Sequence, residues 1–512
     1  MLICFHNIFS KRNVRNTMEN FNKILGKEVQ KKTELLSLLY NQPTIITTNE
    51  LSKKLKMDRR SIYKYFDLLS ELPYVQENNG ILVEKHGQGY KFNGTKKDYK
   101  ILSTQIIQET PFFKLIENIL TNTQVNIVQF AYDNFLSESM VNKKLSLLRK
   151  HLNTMELDLK KRQGIVRLVG DEEKIRFLIV AFFWRNYNGI DWPFAGISKT
   201  NCKKIISTIY TQNGIEVPPA KMELSCYILA TSILRSKKGG TIINQHLNTL
   251  TKTLFLSDNF FIKIKHFNRS MYKHLSPKYH LKREDIEYLT ILAFREPFFL
   301  MQIFKDVNTI SEVFNNKNLL ELLLCSDDIE RNFTYSNFQT KKIFISSIIA
   351  AFVSAETIGK VDYTISGYNI NKYIHKNYPT VKPIINAILD ENNVYSEDSN
   401  KRSSLITPLA SSYALLISPS KNQKLIKIKI ETDLSQSLET LIIERISDAF
   451  KSFYHLELNS SIPESEAAFC LCTNYRSLDF INIDTVLIDA QVSFKDFINI
   501  QNKIKSILSK HN

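Results

Sequence analysis

Hydrophobic positions recur every three or four residues along most of this chain, the spacing that gathers them on one face of a helix. Near the start, Val29, Leu35, Leu36 and Leu39 predict a helix over Glu28–Tyr40, ended by Pro43. Leu51 and Leu55 mark a shorter helix over Thr48–Leu55. Asp58 stands where an N-cap belongs. Ile62, Phe66 and Leu69 then form the stripe of a third helix running to Glu71, with Pro73 as its stop. "ILVEKHGQGYKF" alternates apolar and polar residues around a tip of Lys85, His86, Gly87 and Gln88, which predicts a hairpin. Three helices and a hairpin make a winged helix-turn-helix.

The pattern recurs 79 residues later: Asp58 falls on Ser137, Ile62 on Val141, Lys64 on Lys143, Phe66 on Leu145 and Leu69 on Leu148. Small Ser52 falls on Ala131, and a second hairpin, "LDLKKRQGIVRLVG", carries Lys160, Lys161 and Arg162 toward its tip. Repetition of a whole unit is harder to obtain by chance than one copy. Leu55, however, falls on Asn134. Either the second copy is repacked around Phe135, or its register slips slightly. From about Arg176 to Asn393 the pattern is helical, clearest over 175–187, 223–235, 260–274, 283–294, 341–358 and 370–377, with a junction near Glu296–Pro297. Polar residues 391–404 read as a linker. After them "LIKIKIE", "AAFCLCTN" and "TVLIDA" read as strands, and 438–452 and 494–508 as helices, which predicts a small α/β domain.

Charge sharpens this picture. The 512 residues carry a net +17. Residues 1–170 hold 27 basic against 16 acidic side chains, a net +11; the rest hold 41 against 35, a net +6. A basic first third favours a polyanionic partner by steering and counterion release. With Ile62, Phe66 and Leu69 facing the core, Arg60, Ser61 and Lys64 face outward, flanked by Arg59 and Tyr63. The outward set of the second copy is Ser139, Asn142, Lys143, Ser146, Arg149 and Lys150. Arginine can pair bidentately with guanine and Asn142 can reach adenine; lysines and the wing residues Lys85, His86, Lys161 and Arg162 suit phosphates.

Enzyme chemistry finds little support. GxGxxG, GxxxxGK[ST], HExxH and GxSxG are absent, and only 14 glycines are present for phosphate-cradling loops. The six cysteines are scattered. Cys470 and Cys472 share a strand face, but one pair supplies too few ligands for zinc, so buried thiols are expected, with no metal and no cofactor. No apolar run reaches the roughly 18–20 residues of a membrane span. The first 24 residues lack the order of a signal peptide and read as a frayed leader, with Met18 an alternative start.

The tandem segments "ELSKKLKMDRRSIYKYFDLL" and "FAYDNFLSESMVNKKLSLLRKHL", with the second wing running into "GDEEKIRFLI", resemble the Mga/AtxA family of virulence regulators of Gram-positive bacteria. The resemblance covers nearly the whole chain from about Leu25 and implies a mainly α, multidomain architecture. Its parts are a leader (1–24), two winged helix-turn-helix domains (25–95 and 96–172), two all-helical bundles like PTS-regulation domains (173–290 and 291–395), a linker (396–408) and an enzyme-IIB-like α/β domain (409–512). It implies a cytoplasmic, homodimeric regulator of promoter DNA, an activator rather than a repressor. Phosphorylation on histidine by the phosphocarrier protein of the sugar phosphotransferase system is a further implication. His375, His246 and His274 are the leading candidates, with His266 and His280 behind them. Working enzyme IIB proteins place a phosphoryl-accepting cysteine just after the first strand; here that loop reads Thr432, Asp433, Leu434, Ser435. A retained fold without phosphotransfer, serving dimerisation, is therefore expected. The alternative is a phosphotransferase component, or a regulator like the BglG-type antiterminators, using its winged helices for protein contacts.

Overall fold

The computed structural model describes residues 25–78, 83–87, 89–187, 189–243, 258–303, 327–359, 364–378, 381–391, 393–416, 425–451, 453–474 and 483–509. The leader, His246, Cys4 and Cys325 lie outside the described residues.

The first winged helix comprises α1 (Lys27–Tyr40), β1 (Ile46–Thr47), α2 (Thr48–Leu55), α3 (Arg59–Ser70), α4 (Pro73–Glu77), β2 (Val83–His86) and β3 (Gly89–Phe92). Pro73 does end α3, but by opening α4, where its missing N–H is harmless. Strand order β1-β3-β2 adds a third strand to the expected hairpin. Its core joins Leu35, Leu36, Leu51, Ile62 and Leu69 with Phe66, whose ring lies 4.1 Å from that of Tyr90.

Next come α5 (Lys96–Gln108), which the hydrophobic pattern did not single out, and α6 (Pro111–Thr121). The second winged helix continues with β4 (Val125–Asn126), α7 (Ile127–Asp133), α8 (Glu138–Asn153), β5 (Asp158–Arg162) and β6 (Ile165–Val169). Its sheet order, β4-β6-β5, matches the first. The offset of 79 holds from Ile46/Val125 through both turns: Lys56 and Phe135 each take a left-handed conformation, φ 51° and 53°. The turns close alike, with Met57 N donating to Ser52 O and Leu136 N to Ala131 O. The register therefore does not slip, and Phe135 does not enter the core; it is 99% exposed. Asn134 is tolerated because its position is only half-buried, and its side-chain amide donates to Phe130 O.

The helical middle follows: α9 (Glu172–Tyr187), α10 (Lys199–Gln212), α11 (Pro219–Lys237), α12 (Asp258–Tyr279), α13 (Arg283–Phe294), α14 (Pro297–Ile303), α15 (Asp327–Tyr335), α16 (Phe338–Thr357), α17 (Ile370–Asn377), α18 (Val381–Glu391) and α19 (Ser399–Tyr413). Two compact units divide the chain. One holds α1–α14 with residues 353–369; the other holds α15, residues 338–352 and everything from Ile370 onward. Glu296–Pro297 is not a break. Glu296 accepts from Lys221 at 2.9 Å, and Phe299 of α14 packs 5.1 Å from the Tyr210 ring. Nor is 396–408 a linker: α19 runs through it from the Asp398 cap and buries Leu405, Leu409 and Tyr413. The polar residues that suggested a linker form the turn before α19 and its first turns, where Ser399 and Asn400 are exposed and Ser404 is buried. Among the described residues one helix, α16, is long and apolar enough by length and composition to cross a membrane; half of it is buried within the fold, as in a core helix.

The last elements are β7 (Ile426–Glu431), α20 (Gln436–Phe450), β8 (Leu456–Asn459), β9 (Phe469–Cys472), β10 (Thr485–Leu487) and α21 (Phe494–Ser509). The four strands are parallel, in order β10-β9-β7-β8. β8 escapes a sequence reading because it is an edge strand with one buried residue. Cys470 and Cys472 are fully buried in β9, and burial pushes the Cys470 thiol up to about 12. In the loop after β7, Thr432 donates to Glu439, and Thr473 at the end of β9 donates to Asp433.

One buried cluster ties α9 into the bundle. Arg176, 1% exposed, donates to Glu172 on its own helix at 3.0 Å and to Asp285 of α13 at 2.6 Å. Arg235 of α11 also donates to Glu172, and Ser236 to Asp285. A Cβ at Gly240 would press on the Glu172 carboxylate and shift it within the cluster. Removing one member of a buried pair strands the other charge. Arg176→Ala should therefore lower the unfolding free energy of this unit by about 3–5 kcal/mol in denaturant titration. The Arg176→Ala/Asp285→Ala double variant should lose less than the sum of the singles.

Near the end of α8, burial and then the Arg185 charge hold His151 below its ordinary pKa of 6.5. Folding thus favours the neutral ring. The stability from this group is complete above about pH 6.5 and is lost as pH falls through the lower folded value. Thermal melts between neutral and mildly acidic pH should show this loss, and His151→Gln should flatten it.

Candidate nucleic-acid interface

Each recognition helix is set by its caps. In the first copy, Thr47 and Glu50 close a reciprocal capping box on α2, and Asp58 accepts from the backbone and hydroxyl of Ser61 at the start of α3. Those bonds from Ser61 hold the Asp58 carboxyl below its usual range. Ser61, expected to face DNA, thus has its hydroxyl proton committed to the cap. In the second copy Asn126 caps α7, and Ser137 caps α8.

Arg59, Arg60 and Lys64 stand exposed on α3, with the Lys64 amine 3.7 Å from Glu28. On α8, Ser139, Lys143, Ser146 and Lys150 are exposed, and Asn142 is half-buried. Arg149 is exposed too, but its guanidinium is spent on Asp158 at the base of the wing (Nη2–Oδ2 2.8 Å). That pairing, first through the hydrogen bond and then through charge, raises Arg149 and lowers Asp158. Arg149 therefore reads as a brace between helix and wing. Lys161 and Arg162 project from β5, and Lys85 from β2. His86 ends β2, but its side chain lies outside the described residues.

The helix–wing junction repeats in a way that sequence spacing conceals. The Lys85 amine sits 5.7 Å from the centre of the Tyr63 ring. Lys161 donates to Asn142 Oδ1 at 2.8 Å. Tyr63 and Asn142 are equivalent through the offset of 79. Lys85 pairs across the ladder with Tyr90, opposite Ile46, just as Lys161 pairs with Val166, opposite Val125. The wing offset is therefore 76, not 79. In both copies a wing lysine touches the outward residue of the recognition helix, so helix and wing present one continuous surface.

The candidate phosphorylation residues are scattered. His375 is exposed on α17. His274 contacts Gln212 at 2.9 Å and His266 contacts Asn213 at 3.2 Å, both on α12. His280 takes a left-handed conformation just after that helix. Among the described residues, no cluster of three or more His, Cys, Asp or Glu side chains is placed to hold a metal ion.

The family model of the Mga helix-turn-helix domain matches residues 95–183, which run from the start of α5 through the second winged helix into α9. Three curated relatives match at low identity. Capsule synthesis positive regulator AcpB of Bacillus anthracis is 20% identical over 219 residues, 42% of this chain and 44% of its own length. A putative trans-acting regulator of Streptococcus pneumoniae serotype 4 is 19% identical over 220 residues, 42% of this chain and 43% of its own. Capsule synthesis positive regulator AcpA of Bacillus anthracis is 23% identical over 171 residues, 33% of this chain and 34% of its own. The matched part thus spans less than half the length of each relative. This domain is thus built into a mainly helical, multidomain chain that is similar, over less than half of its length, to proteins named as regulators.

Proposed function

We propose that the chain binds double-stranded promoter DNA as a dimer and activates transcription, with α3 and α8 entering successive major grooves and the wings lying on phosphates. The observation that carries this reading is the shared geometry of the two copies. Each exposes the first half of its recognition helix and couples it to a wing lysine. A major groove about 12 Å wide admits one such helix, and base edges are read near its N-terminal end. The two helices contribute unequally. Arg59 and Arg60 on α3 face Glu138 and Ser139 as their counterparts on α8. The first copy supplies most of the phosphate attraction, and Asn142 supplies base reading once Lys161 releases it to a phosphate. Dimerisation through residues 409–512, and phosphorylation of His375 or His274, are the regulatory inputs that the family resemblance adds.

Gel shifts on upstream DNA across a range of salt should show affinity falling steeply with salt. Replacing Arg60, Lys64 and Lys143 together by alanine should reduce the log–log slope by about three units, roughly one per contact. Binding that ignores salt, or survives the triple substitution, would sink the proposal. Asn142→Ala should relax discrimination at one base position by about 1–3 kcal/mol without changing the slope. For the phosphotransferase input, the full chain incubated with the general phosphotransferase proteins should carry phosphohistidine at His375 or His274 by mass spectrometry. No phosphohistidine at all removes that input.

A further inference from the structure

Beyond residue 170 the excess of positive charge sits in one place. Residues 258–283 hold seven basic side chains against one acidic, a net +6. Residues 171–512 as a whole hold 41 against 35, so without this stretch they balance, 34 against 34. Most of the stretch is α12. Its outward face carries Lys265, Arg269 and Lys273 at a spacing of four residues, all exposed. Ile262 and Tyr272, exposed by 62% and 48%, lie beside them on that face. The other side of the helix is its core side, with Ile264, Phe267, Met271 and Leu275 buried.

Elsewhere in this unit surface lysines meet carboxylates: Lys31 meets Glu34, Lys199 meets Glu223 and Lys221 meets Glu296. Among the described residues no carboxylate stands by Lys265, Arg269 or Lys273; the Lys265 amine lies over the Phe261 ring, 4.0 Å from its centre. The neighbouring helix supplies none either. α10 packs on α12 through the Tyr210 and Phe267 rings, 6.2 Å apart, and through the contacts of His266 with Asn213 and of His274 with Gln212. It carries Lys199, Lys203 and Lys204 and no acidic residue. Like charges four residues apart on a helix repel and destabilise it. A face that is merely solvated mixes the signs, as α1 does with Glu28 and Lys32. The row on α12 keeps its repulsion and calls for an anion from outside the chain.

We infer that this face of α12 is a further DNA contact, a row of cations that lies along the phosphates of the promoter duplex and is separate from both winged helices. The inference rests on the DNA-binding reading for the identity of the polyanion. α12 belongs to the same compact unit as the two winged helices, so a duplex held by α3 and α8 stands at high local concentration to it. Four helical residues advance about 6 Å, and one strand of duplex advances about 3.4 Å per nucleotide. The row therefore matches roughly every second phosphate of a strand lying along it. Lysine, arginine and the tyrosine hydroxyl are side chains that bind phosphate. A second copy of this chain, with its net +17, repels such a face. A lipid surface needs more apolar area than Ile262 and Tyr272 offer. Contacts of this kind position the duplex and add affinity without distinguishing its bases.

The test uses the full chain carrying Lys265→Gln/Arg269→Gln/Lys273→Gln, which keeps good helix formers and removes three charges. In gel shifts on upstream duplex across a range of salt, the log–log slope should fall by about three units, as for three phosphate contacts. Affinity at one low salt concentration should fall about tenfold or more, equally for the upstream duplex and for one altered at the base that Asn142 reads. The variant Lys265→Arg/Arg269→Lys/Lys273→Arg keeps the charges and should keep both slope and affinity. The glutamine variant should melt no lower than the unaltered chain, which separates a lost contact from lost folding. The inference is overturned if the glutamine variant keeps the full slope on duplex, or if its loss is confined to single-stranded RNA of the same sequence. Loss of slope here, with the Arg60, Lys64 and Lys143 substitutions leaving it intact, fails the winged-helix reading and not this one. The reverse result fails this one alone.

Discussion

The Arg176 cluster is the constraint on which the unit that carries the two winged helices depends. The second winged helix does not end in a loop; β6 runs into α9, and α9 is at once the last part of the Mga domain match and a central helix of the bundle. Two arginines and two carboxylates, Arg176, Arg235, Glu172 and Asp285, lock α9 to α11 and α13 with almost no access to water. Buried charge of this kind contributes little net stability over apolar packing, but it tolerates one arrangement only. The orientation of α9, and hence of the wing that precedes it, follows from that arrangement.

At that surface the two copies show how one backbone serves two chemistries. Caps, left-handed turns and three-stranded wings coincide; the side chains laid on them do not. The first copy is basic around its recognition helix. The second keeps lysines on its wing and helix flank, pins Arg149 to Asp158, and presents apolar side chains and acids at its turn. The two modules thus share a backbone and differ in the surface laid on it.

In the C-terminal α/β domain, hydrogen bonds hold the loop that follows the first strand. At the carboxyl ends of β7 and β9, the edge where open parallel sheets commonly bind ligands, Thr432 donates to Glu439 and Thr473 donates to Asp433. The nearby thiols are sealed inside β9.

Much of this was legible in the sequence. Cap residues, turn prolines and 3.6-residue periodicity located α2, α3, α8, α13 and α17 because those signals are local and act within one or two turns. The offset of 79 predicted a second motif, and the Leu55/Asn134 mismatch looked like a fault only because partial burial cannot be seen in a string of letters. The helix α19 was hidden for the same reason: the turn before it and its first turns are polar enough to imitate a linker, and only its packing on α17, α18 and Phe344 shows which of its side chains are buried. What tertiary structure alone decided is which side chains meet. The pairing of Arg176 with Asp285 spans 109 residues. The match of Lys85 with Lys161 depends on strand register rather than on spacing, and the complete exposure of Phe135 depends on a left-handed turn. Periodicity fixes the face a residue occupies on its own element; only the packing of elements determines what that face touches.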